Sequence, residues 1–245
     1  MKRIVLCTAM LLATALVTAQ RRTGTWSIIP RVGVNIANVT GFEVYTLNHQ
    51  DAQDVSTPSI TSKFREGFAG GTELQYQINR TYAASAGAFY SVQGFRLPDY
   101  EDVTADNTHY GTSRYRCTTD YINLPLMLHG YIARGLSVNI GLQAGFRLSA
   151  KLRATVSNFT VDKEGKAHYL TNERGELVYA LNTETDITSR TKAVELSIPI
   201  GLSYEFSNVV LDARYNLGIT RAMTIADEGY RNKWLMFTVG YQFDL

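Results

Sequence analysis

The sequence predicts an all-β fold: an eight-stranded antiparallel up-and-down transmembrane β-barrel with short periplasmic turns and long extracellular loops. Three observations lead there. Apolar and polar residues alternate with period two over eight separate stretches, which marks strands with two unlike faces. Short and long connections alternate between those stretches. One face of every strand is free of charge, which suits lipid and not water. The 245 residues are 45% hydrophobic and 19% charged, below the roughly 25% charge of a soluble domain, so a charge-rich disordered chain is excluded. Two cysteines and four histidines exclude a disulfide scaffold and argue against a multi-ligand metal site.

The elements follow in order. Met1-Lys2-Arg3, the apolar run Ile4 to Val17 and the small residues before Gln20 read as a secretory signal peptide over residues 1–19, with 20–245 as one barrel domain. Loss of Lys2 and Arg3 reduces the 24 basic residues to 22, matching the 22 acidic ones, so the formal charge of +2 belongs to the leader. Near-zero charge gives no pull toward nucleic acid. Strands are expected at about 26–37, 67–78, 82–96, 121–132, 136–150, 193–206, 209–220 and 234–245. The last two are the clearest: Val209, Leu211, Ala213, Tyr215 and Leu217 share one face, as do Leu235, Phe237, Val239, Tyr241 and Phe243. Asn79-Arg80-Thr81, Ala133-Arg134-Gly135 and Ser207-Asn208 are tight hairpin turns. The long connections are 38–66, 97–120, 151–192 and 221–233.

Alternation does not say which face is inside, and a soluble periplasmic ligand-binding barrel would put the apolar face inward. The lysines decide against it. Lys63, Lys151, Lys163, Lys166, Lys192 and Lys233 all fall in loops or at strand ends, whereas a lysine at the bilayer midplane costs roughly 2–4 kcal/mol. Apolar-face aromatics form two levels. Trp26, Tyr76, Tyr82, Tyr204, Phe206, Tyr241 and Phe243 mark the short-turn rim, and Phe68, Tyr90, Phe146 and Phe237 the long-loop side. Two belts are what amphipathic rings form at two interfaces.

Arg31-Val32-Gly33-Val34-Asn35, Tyr90-Ser91-Val92-Gln93-Gly94-Phe95, Tyr121-Ile122-Asn123-Leu124-Pro125-Leu126, Ala213-Arg214-Tyr215-Asn216-Leu217-Gly218 and Val239-Gly240-Tyr241-Gln242-Phe243 resemble the PorT-like outer-membrane β-barrel family. The resemblance spans nearly all of residues 24–245. It implies an outer-membrane location and a supporting role in envelope or secretion machinery; its motifs are architectural. Thr238, Gly240, Phe243 and Leu245 also resemble the terminal signal read by the barrel-assembly machinery, with Leu245 where Phe is usual.

Eight strands enclose a space that side chains fill, so a diffusion pore is not expected. Arg31, Glu73, Asp212, Arg214, Arg147 and Glu195 face the lumen and must pair, because unpaired buried charge is costly. Similar depth groups Arg31, Glu73 and Arg214, and groups Arg147 with Glu195. His129 reads as a satisfied lumen group. The segments Asp162-Lys163-Glu164-Gly165 and Asn172-Glu173-Arg174-Gly175 predict a hairpin or small meander within 151–192. Asp99, Glu101, Asp102 and Asp106 read as a solvated acidic loop, since their spacing matches no calcium loop. No catalytic residue, cofactor or metal is expected. The functional expectation is a non-enzymatic barrel, in contact with outer-membrane lipid, whose surface loops bind a partner or ligand. A loop-borne hydrolase or acyltransferase using His49, His109 or His168 is the alternative. Cys117 is expected near the surface mouth, open to an impermeant thiol reagent.

Overall fold

The computed structural model describes residues 22–46, 48–51, 54–56, 59–171, 174–224 and 229–245; the expected leader, residues 1–19, lies outside them. Eight strands form a closed ring: β1 Trp26–Val39, β2 Arg65–Gln77, β3 Tyr82–Arg96, β4 Thr108–Ala133, β5 Leu136–Val161, β6 Val194–Phe206, β7 Val209–Gly218 and β8 Asn232–Tyr241. Each pairs antiparallel with its neighbours in sequence, and β8 closes on β1 from Arg31↔Gly240 to Val39↔Asn232. The ring stays sealed to the chain end, where Phe243–Asp244 continues the pairing through Ile28↔Phe243 and Ser27↔Asp244.

The barrel is inside out relative to a water-soluble one. Leu126 is 64% exposed and Leu142 64%, while Glu73 and Asn139 are 0% exposed. Val32, Val34, Leu128, Leu202 and Val239 continue the exposed apolar wall. Every strand is paired on both edges, so the ring satisfies its backbone polar groups from within, the condition for a sheet to span a bilayer. At the short-turn rim the Trp26 and Tyr76 rings lie 4.7 Å apart and Tyr241 and Phe243 4.8 Å apart.

The largest departure from the sequence expectation is the length of β4 and β5. Both have 26 residues, and they remain paired from Leu136↔Ala133 up to Thr160↔Thr108. The sequence suggested loops at 97–120 and 151–192; in the structure the wall itself rises far above the membrane. Residues 100–103 pair with the outer part of β4, and 167–169 and 181–186 both pair back onto β5. The expected hairpin in 151–192 is present, formed by the end of β5 and 167–169 from Phe159↔Tyr169 to Val161↔Ala167, and 181–186 extend the wall lower on β5. The Asp162 turn is present: its carboxylate accepts from the Glu164 and Lys166 amides, and Gly165 has φ +80. The second turn lies partly outside the described residues. Lys151 sits within β5 and Lys233 near the start of β8, both above the lipid-facing band rather than in loops.

Candidate functional site

Strand alternation points Arg31, Glu73 and Arg214 inward, and the structure brings them together. Arg31 Nη2 lies 3.1 Å from Glu73 Oε2, and Arg214 Nη2 donates to the same oxygen at 2.8 Å. Asp212 completes the group, 3.0 Å from Arg31 Nη1 and 2.8 Å from Arg214 Nε. These two contacts are charge contacts without hydrogen-bond alignment, so Glu73 makes the better-directed bond. Two cations meet two carboxylates, all at most 1% exposed.

From this quartet a polar belt runs round the lumen. Ser85 donates to Glu73 Oε1 and contacts His129 Nε2 at 2.7 Å. His129 Nδ1 lies 2.9 Å from Asn139 Oδ1. Asn139 donates to Ser203, and Ser203 to Asp212, which returns to Arg31. Seven strands supply a member. The eighth supplies space: Gly240 stands opposite Arg31, and a Cβ there would lie 2.7 Å from Arg31 Cγ. Arg31 thereby reaches across β8 to Asp212 on β7. Gly201, opposite Arg214, leaves room in the same way, since a Cβ there would lie 2.9 Å from Arg214 Cγ. Ser85, His129 and Asn139 contact in the order of a Ser–His–Asn relay, but the Ser85 hydroxyl is committed to Glu73 and the group is sealed, so the arrangement serves the belt.

Arg147 and Glu195 are not brought together. Glu195 lies directly opposite Gly145, not Arg147. Its Oε2 accepts from Asn232 at 2.6 Å, while Arg147 reaches up to the Thr188 carbonyl at 2.6 Å. Above them the loops close an apolar cap of Val39, Phe95, Leu97, Cys117, Ala150, Ile187, Met223 and Tyr230. Cys117 belongs to that cap at 1% exposure, so the thiol is covered, contrary to its expected accessibility. Burial pushes its pKa up to about 11. Trp234, 1% exposed, packs with Ala37, Ala69 and Met236 in a second apolar cluster.

At the far tip of the wall, rings line up across four paired segments. His109 stacks on Phe159 at 4.9 Å, Phe159 meets Tyr169 at 5.4 Å, and Tyr169 meets Tyr179 at 4.9 Å. Tyr179 is 60% exposed, and Tyr110, Leu170, Leu177 and Leu181 are exposed around the row. No sequence signal separated these rings from ordinary loop aromatics, because they come from distant stretches joined by register. Of the acidic residues at 99–106, Glu101 holds His109 at 3.0 Å, Asp99 accepts the Arg114 amide and Asp106 is bound by Thr104 and Thr108. The side chain of His49 lies outside the described residues.

The profile of the outer membrane protein beta-barrel domain family matches residues 18–223. The chain belongs to that family. This places the barrel in the outer membrane. Solved barrels resemble it at low identity: Ail, the attachment invasion locus protein of Yersinia pestis, at 16% identity and TM-score 0.38, covering 91% of this chain and 100% of that one; Neisserial surface protein A at 14% and 0.40, covering 89% and 97%; and OprG from Pseudomonas aeruginosa at 10% and 0.41, covering 92% and 99%. Comparison with curated proteins finds no match. In this outer-membrane barrel Thr238 and Gly240 face the lumen, while Phe243 and Leu245 are exposed on the outer wall at the seam with β1.

Proposed function

We propose that this outer-membrane barrel is a closed, non-enzymatic surface protein whose raised wall binds a partner or ligand. Export follows a cleaved leader at 1–19, the barrel-assembly machinery reads Thr238, Gly240, Phe243 and Leu245, and the chain stands near PorT-like barrels in supporting envelope or secretion machinery. The observation that carries the reading is the half-buried aromatic row at the wall's tip, His109, Phe159 and Tyr169, which ends in exposed Tyr179 and is bordered by exposed Tyr110, Leu170, Leu177 and Leu181. Contiguous exposed apolar surface is costly in water and marks contact sites, and aromatic anchors dominate the energy of such contacts. The polar belt and the apolar cap favour a filled lumen over a passage, which leaves the surface as the working part. The lumen quartet of Arg31, Glu73, Asp212 and Arg214 holds the scaffold rigid beneath it.

The test is a photo-crosslinking residue placed in intact cells at Tyr179 or Tyr110, with Leu126 on the lipid-facing wall as control. A discrete protein or glycan adduct from the tip, absent from the control and reduced about tenfold by Tyr169→Ala, is expected. Lipid or ester turnover by the purified barrel, lost in His109→Ala or His168→Ala, would install the hydrolase reading instead.

A further inference from the structure

The register above the membrane aligns four cations on adjacent segments. Lys63 bridges Arg96, Arg96 stands opposite Arg116 on β4, and Arg116 stands opposite Arg153 on β5. Directly opposite residues have Cβ atoms ~4.5–5.5 Å apart, and like charges there repel. These side chains occupy the outer face of the wall, since the alternate positions Phe95, Cys117 and Leu152 pack into the apolar cap. Arg96, Arg116 and Arg153 are exposed.

Nearby acids offset the row only in part. Glu184 takes Arg153 at 2.7 Å and Lys151 at 2.8 Å. The Glu66 carboxyl is held below its ordinary range by a backbone amide and then by Arg116 and Arg96. Asp120 lies lower and accepts from Ser149, and Asp99 accepts the Arg114 amide. Arg116, flanked by a cation on each side, has no ion-pair partner among the described residues. It borders a groove of about 490 Å³ lined also by Arg114, Arg153, Asn182, Thr183 and Glu184.

The height of the row narrows the ligand. Exposed Phe64 adjoins Lys63, and its carbonyl accepts from Arg96 Nε at 3.0 Å. At ~3.3 Å per residue and ~45° tilt, the row stands roughly 10–14 Å above the Phe68 and Tyr90 rings. Phospholipid headgroups add only about 5–8 Å beyond the hydrocarbon on each side. A headgroup that carries its phosphates on sugars reaches the row, and guanidinium groups grip such phosphates through paired N–H donors.

We infer that the Lys63–Arg96–Arg116–Arg153 row, with its groove, is a binding site on the outer wall for a phosphorylated glycolipid headgroup of the outer leaflet. The lipid's acyl chains lie along the apolar wall below while its phosphates relieve the repulsion within the row. Outer-wall lipid binding is independent of the tip's aromatic row, so a failed partner search would leave it standing.

The purified full chain in detergent is titrated with a bisphosphorylated disaccharide lipid and with its dephosphorylated counterpart, with binding read by native mass spectrometry. The phosphorylated lipid is expected to bind about tenfold more tightly or better, an advantage that shrinks as salt screens the charges. Arg96→Gln/Arg116→Gln/Arg153→Gln is expected to abolish the advantage, Arg116→Gln alone to lower it several-fold, and Arg80→Gln/Arg134→Gln at the opposite rim to leave it intact. Without lipid, Arg116→Gln is expected to unfold no earlier than wild type, because it removes a repulsion. Equal binding of the two lipids, or no salt dependence, overturns the site. A soluble sulfated oligosaccharide that binds the row as tightly as the phosphorylated lipid overturns the lipid assignment in favour of a free polyanion.

Discussion

Glu73 is the position where the barrel's interior is most exposed to a single change. Its carboxylate is fully buried and receives Arg31 at 3.1 Å and Arg214 at 2.8 Å, with Ser85 and His129 on its second oxygen. Replacement by Gln keeps the volume and an acceptor but removes one negative charge. Asp212 then faces two guanidinium groups alone, leaving one positive charge uncompensated. Breaking a buried pair in this way costs about 3–5 kcal/mol, and no solvent screening reduces it, because the four side chains are at most 1% exposed. With a urea slope of roughly 2–3 kcal/mol/M, the unfolding midpoint falls by about 1–2.5 M.

The assay is equilibrium urea unfolding of the barrel in lipid vesicles, followed by tryptophan emission. Trp234 is buried inside and Trp26 is half exposed at the short-turn rim, so the two report separate regions. Glu73→Gln/Arg31→Gln restores a one-to-one charge balance and should cost less than the sum of the single changes, with a coupling of about 2 kcal/mol or more. A Glu73→Gln loss below about 1 kcal/mol, or strict additivity in the double variant, would refute the claim that charge balance within the belt holds the lumen together.

Other outcomes follow from the same contacts. Gly240→Ala should cost about 1–3 kcal/mol by overpacking, since its Cβ would meet Arg31 Cγ and the Pro30 carbonyl, whereas Gly130→Ala, with nothing nearer than 3.8 Å, should be neutral; equal unfolding midpoints would contradict this. Cys117 should resist an impermeant maleimide on intact cells and react after urea unfolding, because it is buried and its thiol pKa is raised to about 11; Tyr179→Cys should label at once. The hydrogen bonds from Lys151 and Arg153 lower the Glu184 carboxyl below its ordinary 4.5. The lowered folded value means that its support for the pairing of 181–186 with β5 is present above that pH and is lost as pH falls through the folded value. Hydrogen-exchange protection of 181–186 should therefore drop between pH 6 and about pH 3, and unchanged protection would remove Glu184 from that role.

The membrane made the eight strands legible, because lipid on one side and a packed lumen on the other enforce alternation wherever the wall crosses the bilayer. Above it that pressure ends. Residues 108–120 read as a loop because both faces there accept polar side chains, yet Thr and Tyr favour the extended chain they form. In 147–161 the irregularities between Arg147 and Ser149 and between Arg153 and Thr155 shift the parity, so the period-two signal cancels.

Alternation assigns a face but not a height. The sequence placed Arg31, Glu73 and Arg214 on the lumen face, and counting from the short turns set them near one level, where the structure joins them. The same counting paired Arg147 with Glu195, although the register sets Glu195 opposite Gly145. In a barrel the stagger between strands accumulates around the ring, so an error of one step on adjacent strands sends a guanidinium to a different layer. Ser85, Asn139 and Ser203 were invisible for a related reason: many small polar residues line the lumen, and height alone selects those that complete the belt. The outer row of Lys63, Arg96, Arg116 and Arg153 lies under the same rule, with members from four distant stretches. Their like charge is unremarkable along the chain and becomes costly only when register sets them side by side. Ligand chemistry in this barrel therefore has to be sought level by level around the wall, where groups remote in sequence share a height.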